Sequence, residues 1–144
     1  MSTSLLFTSI LLIFTFSTSA QNTILGKWKS FDDKTKEAKS IVEIFERASK
    51  IYGRIIKTFP KPGANADPIC SKCPPEDSRF NKKIIGMEII TDLTRDEDEF
   101  IGGQILDPEI GKIYKCKLWV KNGELQVRGY LGPFYRTQTW QRMP

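Results

Sequence analysis

Residues 113–121 alternate: Tyr114, Cys116, Leu118 and Val120 fall on one side, Lys115, Lys117 and Lys121 on the other. A period of two is the signature of a strand with one face buried and one face wet. Asn122-Gly123 follows directly, and both residues tolerate the positive φ that a tight primed hairpin turn requires. Leu125, Val127 and Leu131 then continue the apolar face, opposite Gln126, Arg128 and Tyr130. A hairpin this well marked commits its part of the chain to antiparallel sheet, and the rest must supply strands that cover its edges.

The same period recurs upstream. Ile24 to Lys29 opens as a strand, and Asp32-Asp33-Lys34-Thr35-Lys36 supplies a polar turn. Residues 40–46 and 50–58 are rich in Ile, Val, Phe and Tyr and read as a hairpin across Arg47-Ala48-Ser49. Residues 60–83 hold a dense set of prolines and the pair Cys70 and Cys73, and read as a long loop. Residues 84–90 fit either a strand or a single helical turn. An acidic stretch over residues 92–99 reads as a solvated turn, before a strand over 100–106 and a turn at Asp107-Pro108-Glu109-Ile110-Gly111. Residues 135–142 close the chain as a last strand. Seven or eight short strands without an amphipathic helix make an all-β antiparallel meander. Closing such a meander into a small barrel removes its edges, and an open β-sandwich is the alternative.

The N-terminus points to export. Residues 5–16 are an apolar run broken only by Thr8, Ser9 and Thr15, followed by the small residues Ser17-Thr18-Ser19-Ala20. Thr18 and Ala20 occupy the −3 and −1 places of a cleavage site before Gln21, so residues 1–20 read as a secretory signal peptide and residues 21–144 as a single domain. No Lys or Arg precedes the apolar run, which leaves the α-amino group as its only positive charge; a buried N-terminal helix is the alternative. The run is shorter than the about 20 residues that span a bilayer, and no later segment would anchor the mature chain. The expected location is the periplasm or the medium.

Several segments resemble one bacterial family of exported proteins known as domain of unknown function 2147. They include Gly26-Lys27-Trp28, Lys39-Ser40-Ile41-Val42-Glu43-Ile44, the Cys70-Ser71-Lys72-Cys73 loop and Gly86-Met87-Glu88-Ile89. Later ones are Gly102-Gly103-Gln104-Ile105-Leu106-Asp107-Pro108, Gly111-Lys112-Ile113-Tyr114, Val127-Arg128-Gly129-Tyr130 and Thr139-Trp140-Gln141-Arg142. The resemblance implies export and one domain, and it brings no catalytic residues. The Gly26-x-Trp28 opening is also similar to the first strand of lipocalin-type barrels, where the Trp plugs the base beside an Arg of the last strand. That resemblance implies a lipocalin-like barrel in which Trp28, with Arg142 or Arg136, takes the part of the plug.

Chemistry is sparse. The chain has no histidine, which removes Ser-His-Asp and Cys-His nucleophiles and histidine metal sites. Cys70-x-x-Cys73 has the spacing of a thiol–disulfide site, and an exported protein meets an oxidising compartment. A redox-active pair normally starts a helix, whereas Cys73 runs into Pro74-Pro75. A plain loop disulfide, a redox centre and a free pair therefore stay open, the first preferred. Zinc would need a fourth ligand, and Cys116 sits on the apolar face as an expected buried thiol. Asp92, Asp96, Glu97, Asp98 and Glu99 lack the spacing of a calcium loop. No metal and no cofactor are expected, and no spacing singles out paired carboxylates for hydrolysis.

With 22 Lys+Arg against 17 Asp+Glu the net charge is +5, spread over several strands as on a solvated face. Nucleic acid is not expected; a weak, salt-sensitive attraction to anionic envelope polymers or lipid headgroups is compatible with the excess. Arg128, Tyr130, Arg136 and Gln138 form the candidate ligand set: on a face lining the barrel they would receive an anionic or amphiphilic molecule, and on the outside they are ordinary surface. Three functions follow. The leading one is a non-catalytic module binding a hydrophobic or amphiphilic small molecule in the cell envelope. The second is an envelope structural or protein-interaction domain with a filled barrel. The third is an enzyme, either a thiol oxidoreductase at Cys70/Cys73 or a carboxylate hydrolase.

Overall fold

The computed structural model describes residues 23–144; the expected signal peptide and its cleavage site before Gln21 lie outside the described residues. The strands are β1 (Gly26–Phe31), β2 (Ala38–Arg47), β3 (Lys50–Thr58), β4 (Glu88–Asp96), β5 (Glu99–Asp107), β6 (Lys112–Lys121), β7 (Glu124–Leu131) and β8 (Phe134–Arg142). Each pairs antiparallel with the next, and β1 pairs with β8 to close an eight-stranded barrel. The meander therefore closes rather than opening into a sandwich. Among the described residues no helix is long and apolar enough to cross a membrane.

Alternation does what the sequence requires of it. Trp28 and Ser30 of β1, Ser40, Val42 and Ile44 of β2, Ile51, Gly53 and Ile55 of β3, Cys116 and Leu118 of β6, and Leu125 and Val127 of β7 are buried, while the residues between them are partly or fully exposed. Asn122 and Gly123 take φ of 53° and 74°, the pair of positive values that a type I′ turn needs. The β2–β3 turn uses the same geometry with Ala48 and Ser49, at φ 50° and 64°.

Three sequence expectations change. The ambiguous residues 84–87 form a turn, and the strand starts at Glu88. Asp92 is not in a turn: β4 runs on through Asp96, with Asp92 at φ 61° where the pairing with β3 shifts register, and only Glu97 and Asp98 link β4 to β5. Leu131 does not join the core; it sits at the end of β7 and is exposed.

Strand direction gives the barrel two unlike ends. The turns β2–β3, β4–β5 and β6–β7 lie at one end, the base, where Trp28, Val42, Ile44, Leu93, Leu118 and Leu125 are fully buried. Gly103 serves this packing, since a Cβ there would run into the Thr91 carbonyl and the Leu93 side chain. The turns β1–β2, β5–β6 and β7–β8 and the long β3–β4 loop lie at the other end, the mouth.

Candidate functional site, a cavity at the barrel mouth

Inward positions change character along the barrel. Toward the mouth they include Ser30, Ser40 and Gly129, which are small where the base has Trp, Leu and Ile. A cavity of about 940 Å³ runs from this level of the barrel out among the mouth loops, where Thr35, Lys61, Asn65 and Phe134 line it; its inner walls are Ile55, Ile89, Ile105, Tyr114, Val127 and Trp140. A volume of this size falls in the range of small-molecule sites.

The polar groups inside are few and satisfied. Ser30 and Ser40 share a hydrogen bond between their hydroxyls at 2.7 Å. Trp140 Nε1 donates to Gln138 Oε1 at 3.0 Å, Gln138 Nε2 donates to Asp33 Oδ2 at 3.0 Å, and Arg136 Nη1 donates to the same oxygen at 2.9 Å. This chain lies where β1 and β8 part company: their backbone pairing covers only Trp28–Arg142 and Lys29–Gln141. Side chains from β8 and the β1–β2 turn bridge the seam above that point, and they line one wall of the cavity.

The long loop rims the cavity. The Cys70–Cys73 disulfide is formed and both residues are buried. Backbone bonds from Cys70 to Lys82 and from Asn81 to Cys70 brace the loop internally. Arg79 grips Asp77 through Nε and Nη2, both at 2.9 Å, and donates Nη1 to the Glu88 carbonyl at 3.0 Å, tying the loop to β4. That guanidinium holds the Asp77 carboxyl down at about 2. Gly111, at φ 68°, lets the β5–β6 turn meet the loop, because a Cβ there would collide with the Lys72 carbonyl.

The candidate ligand set splits. Arg136 and Gln138 line the cavity. Arg128 and Tyr130 lie on the outer surface, where Arg128 sits between Trp119 and Tyr135 and donates Nε to Thr137 Oγ1 at 2.8 Å. The reason is the two-residue turn Gly132-Pro133: it pairs Arg128 with Thr137 and Gly129 with Arg136, so even-numbered residues of β7 and β8 face opposite sides. The sequence reading missed Asp33, Ser30, Ser40 and Trp140 in the site. Ser30 and Ser40 carried a usable signal, since each stands two residues from a core position, Trp28 or Val42, on the same face.

Trp28 lies at the base with its Nε1 donating to the Ile24 carbonyl at 2.8 Å. The Arg142 guanidinium stands 4.1 Å from the centroid of the Trp28 ring and donates to the carbonyls of Thr23 and Leu25, strapping the N-terminal segment across the base. Arg136, the other arginine considered, is at the mouth.

Other chemistry finds little support. With both cysteines of the disulfide buried and no helix beginning there, the pair lacks the exposed low-pKa thiol of exchange chemistry. Burial pushes the Cys116 thiol up to about 12, which keeps it protonated and unreactive. Among the described residues no three Cys, Asp or Glu side chains gather as a metal site. A second, outer depression beside β3 and β4 holds the ion pairs of Arg47 with Glu88 and Arg79 with Asp77, beside Lys82 and Lys83.

The barrel is similar to protein HP1028 from the human pathogen Helicobacter pylori, a member of the lipocalin family, with a TM-score of 0.71 and 20% sequence identity over 85% of this chain and 84% of that chain. At that identity the likeness bears on the fold, which is thus lipocalin-like. No curated protein matches the sequence. The sequence model for the family described as "Uncharacterized protein conserved in bacteria (DUF2147)" matches residues 26–142, from the first residue of β1 to the last of β8. With every strand inside that match, the chain belongs to the DUF2147 family.

Proposed function

We propose that this protein is a non-catalytic binding module that holds a hydrophobic or amphiphilic small molecule in the mouth of its barrel, and that it is exported to work in the cell envelope or the medium. The carrying observation is the cavity of about 940 Å³, with apolar inner walls and a lining that reaches the mouth loops. The seam groups Arg136, Gln138 and Asp33 give a bound molecule polar partners beside the apolar wall, the arrangement that suits an amphiphile. Likeness to a lipocalin-family barrel supports the reading at the level of fold. Export rests on residues 1–20.

Native mass spectrometry of protein purified from the producing cell tests it. The expected result is a bound mass that organic extraction removes, and its loss in Gly129→Phe, which fills the cavity from an inward position with ordinary room for a Cβ. A bare mass, together with no uptake of apolar fluorescent probes by the parent, would overturn the reading.

A further inference from the structure

The outer wall of the barrel is uneven in how it treats charge. On β2, β3 and β4 the outward arginines hold carboxylates: Arg54 meets Glu43 and Arg47 meets Glu88. On the β6–β8 side the outward charges are Lys115, Lys117, Lys121 and Arg128 against Glu124 alone, and β1 adds Lys29 across from Gln141 of β8. Lys117 takes Glu99 of β5 at 3.1 Å, whereas Lys115 and Arg128 hold no carboxylate among the described residues. Lys117 also stands directly across from Arg128 on the same face, a like-charge pairing that costs the sheet stability. Of the two, only Lys117 is neutralised.

Arg128 is held as a fixed donor. Its guanidinium lies between the Trp119 and Tyr135 rings, 4.9 and 4.3 Å from their centroids, and its Nε donates to Thr137 Oγ1 at 2.8 Å. Nη1 and Nη2 meet no acceptor among the described residues. Two rings and one hydrogen bond have already removed much of the rotamer freedom of this side chain, so little is lost when an anion takes the two open nitrogens. The neighbours share the bias. Gln126, one row nearer the base, accepts from Thr139 through Oε1 at 3.0 Å, which leaves its Nε2 to donate. Lys115 lies one row nearer the mouth, across from Tyr130. The surface around Arg128 thus offers donors and positive charge, and its side-chain acceptors are largely taken.

We propose that this wall is a binding site for an acidic glycan, with Arg128 gripping a carboxylate of the chain through Nη1 and Nη2 while Lys115 and Lys117 meet further charges along it. A sugar chain bearing carboxylates is rich in acceptors, in its charged oxygens and its hydroxyls alike, and that is what a donor surface selects. A peptide would bring backbone N–H groups that find few acceptors here. The wall is also the convex side of a closed barrel, which a linear polymer can follow and a flat bilayer meets along one line. The site lies outside the barrel, so it stands or falls without a ligand in the cavity.

The test is titration of fluorescently labelled oligogalacturonate with protein purified from the producing cell, followed by anisotropy, beside labelled neutral dextran. The parent is expected to bind the acidic chain alone and to be released by salt. Arg128→Gln should weaken binding by at least about tenfold, since it removes a two-pronged charged contact. Arg128→Lys keeps the charge without the pair of nitrogens and should fall between the parent and Arg128→Gln. Lys115→Gln should weaken binding about threefold, and it carries the test if Arg128→Gln fails to fold. Lys57→Gln, the same loss of charge at an exposed position of β3, should leave binding unchanged. No binding by the parent, equal binding to dextran, full binding by both Arg128→Gln and Lys115→Gln, or an equal loss in Lys57→Gln would overturn the proposal. So would binding to phosphatidylglycerol vesicles in place of the glycan.

Discussion

The base and the mouth of this barrel are built from the same eight strands but solve different problems. At the base, inward positions carry Trp28, Val42, Ile44, Leu93, Leu118 and Leu125, all fully buried, and Arg142 straps the N-terminal segment over Trp28. At the mouth, inward positions carry Ser30, Ser40 and Gly129, the β1–β8 pairing has ended, and a hydrogen-bonded chain from Trp140 to Asp33 bridges the seam. Cohesion is concentrated at one end so that the other can stay hollow. Eight strands can either fill or just hold a small ligand, and this chain does each in a different half.

The base should therefore be where a single substitution costs most. Trp28→Ala removes a fully buried indole together with its hydrogen bond to the Ile24 carbonyl, and should cost about 3–5 kcal/mol, measured by the denaturant midpoint. Arg142→Ala, which loses ring stacking and carbonyl contacts on an exposed residue, should cost about 1–2 kcal/mol. Gln138→Ala at the mouth should stay under about 1 kcal/mol, because water can replace it. A Trp28→Ala midpoint close to that of the parent would break the division of labour between the two ends.

The two ends also differed in how far the sequence disclosed them. The base was legible: Gly26-x-Trp28, the alternation around Cys116 and Leu118, and Asn122-Gly123 each act through nearest-neighbour geometry. The mouth was not, because what shapes it depends on register. The sequence treats Arg128, Tyr130, Arg136 and Gln138 as one set, but a two-residue turn changes parity between β7 and β8 and sends the first two outside. Whether the barrel is hollow depends on Ser30, Ser40 and Gly129 meeting at one level, which requires pairings across four strands. The hairpin across Arg47-Ala48-Ser49 was legible from its flanking strands, but the positive φ of Ala48 and Ser49 was not, since neither residue favours it.

The mouth loop offers the next test. Gly111→Ala puts a side chain at φ 68° and into the Lys72 carbonyl, so the β5–β6 turn and the loop cannot keep their contact. The expected cost is about 2–3 kcal/mol, with faster amide exchange in residues 69–73 than in the strands. A substitution that lowers stability while leaving that exchange unchanged would separate the turn from the loop.

Breaking the disulfide should do less. Cys70 and Cys73 are only three residues apart, and the loop-length relation gives at most about 2 kcal/mol for so small a ring. Cys70→Ser/Cys73→Ser should leave the barrel midpoint within that range while loosening the loop over the cavity. Alkylation of the parent should label Cys116 alone after unfolding without reductant, and all three cysteines after reduction.

Acid should act on the mouth loop before the base. Asp77 has its carboxyl held at about 2 in the folded state, below the ordinary 3.8, chiefly by hydrogen bonds from Arg79. Its contribution to stability is complete above the ordinary value and disappears as pH falls toward 2. Glu88, lowered by the Arg47 guanidinium, shifts in the same direction. Both carboxylates lie on the segment that fastens the β3–β4 loop to β4, whereas the base packs through apolar side chains with no titrating group inside. The loss should be about 1 kcal/mol between pH 4 and pH 2, visible as amide exchange accelerating around residues 77–82 while Trp28 fluorescence holds steady. Asp77→Asn should abolish most of that pH dependence. If base and loop instead loosen together across this range, the two ends form one cooperative unit, and the independence assigned to the mouth is lost.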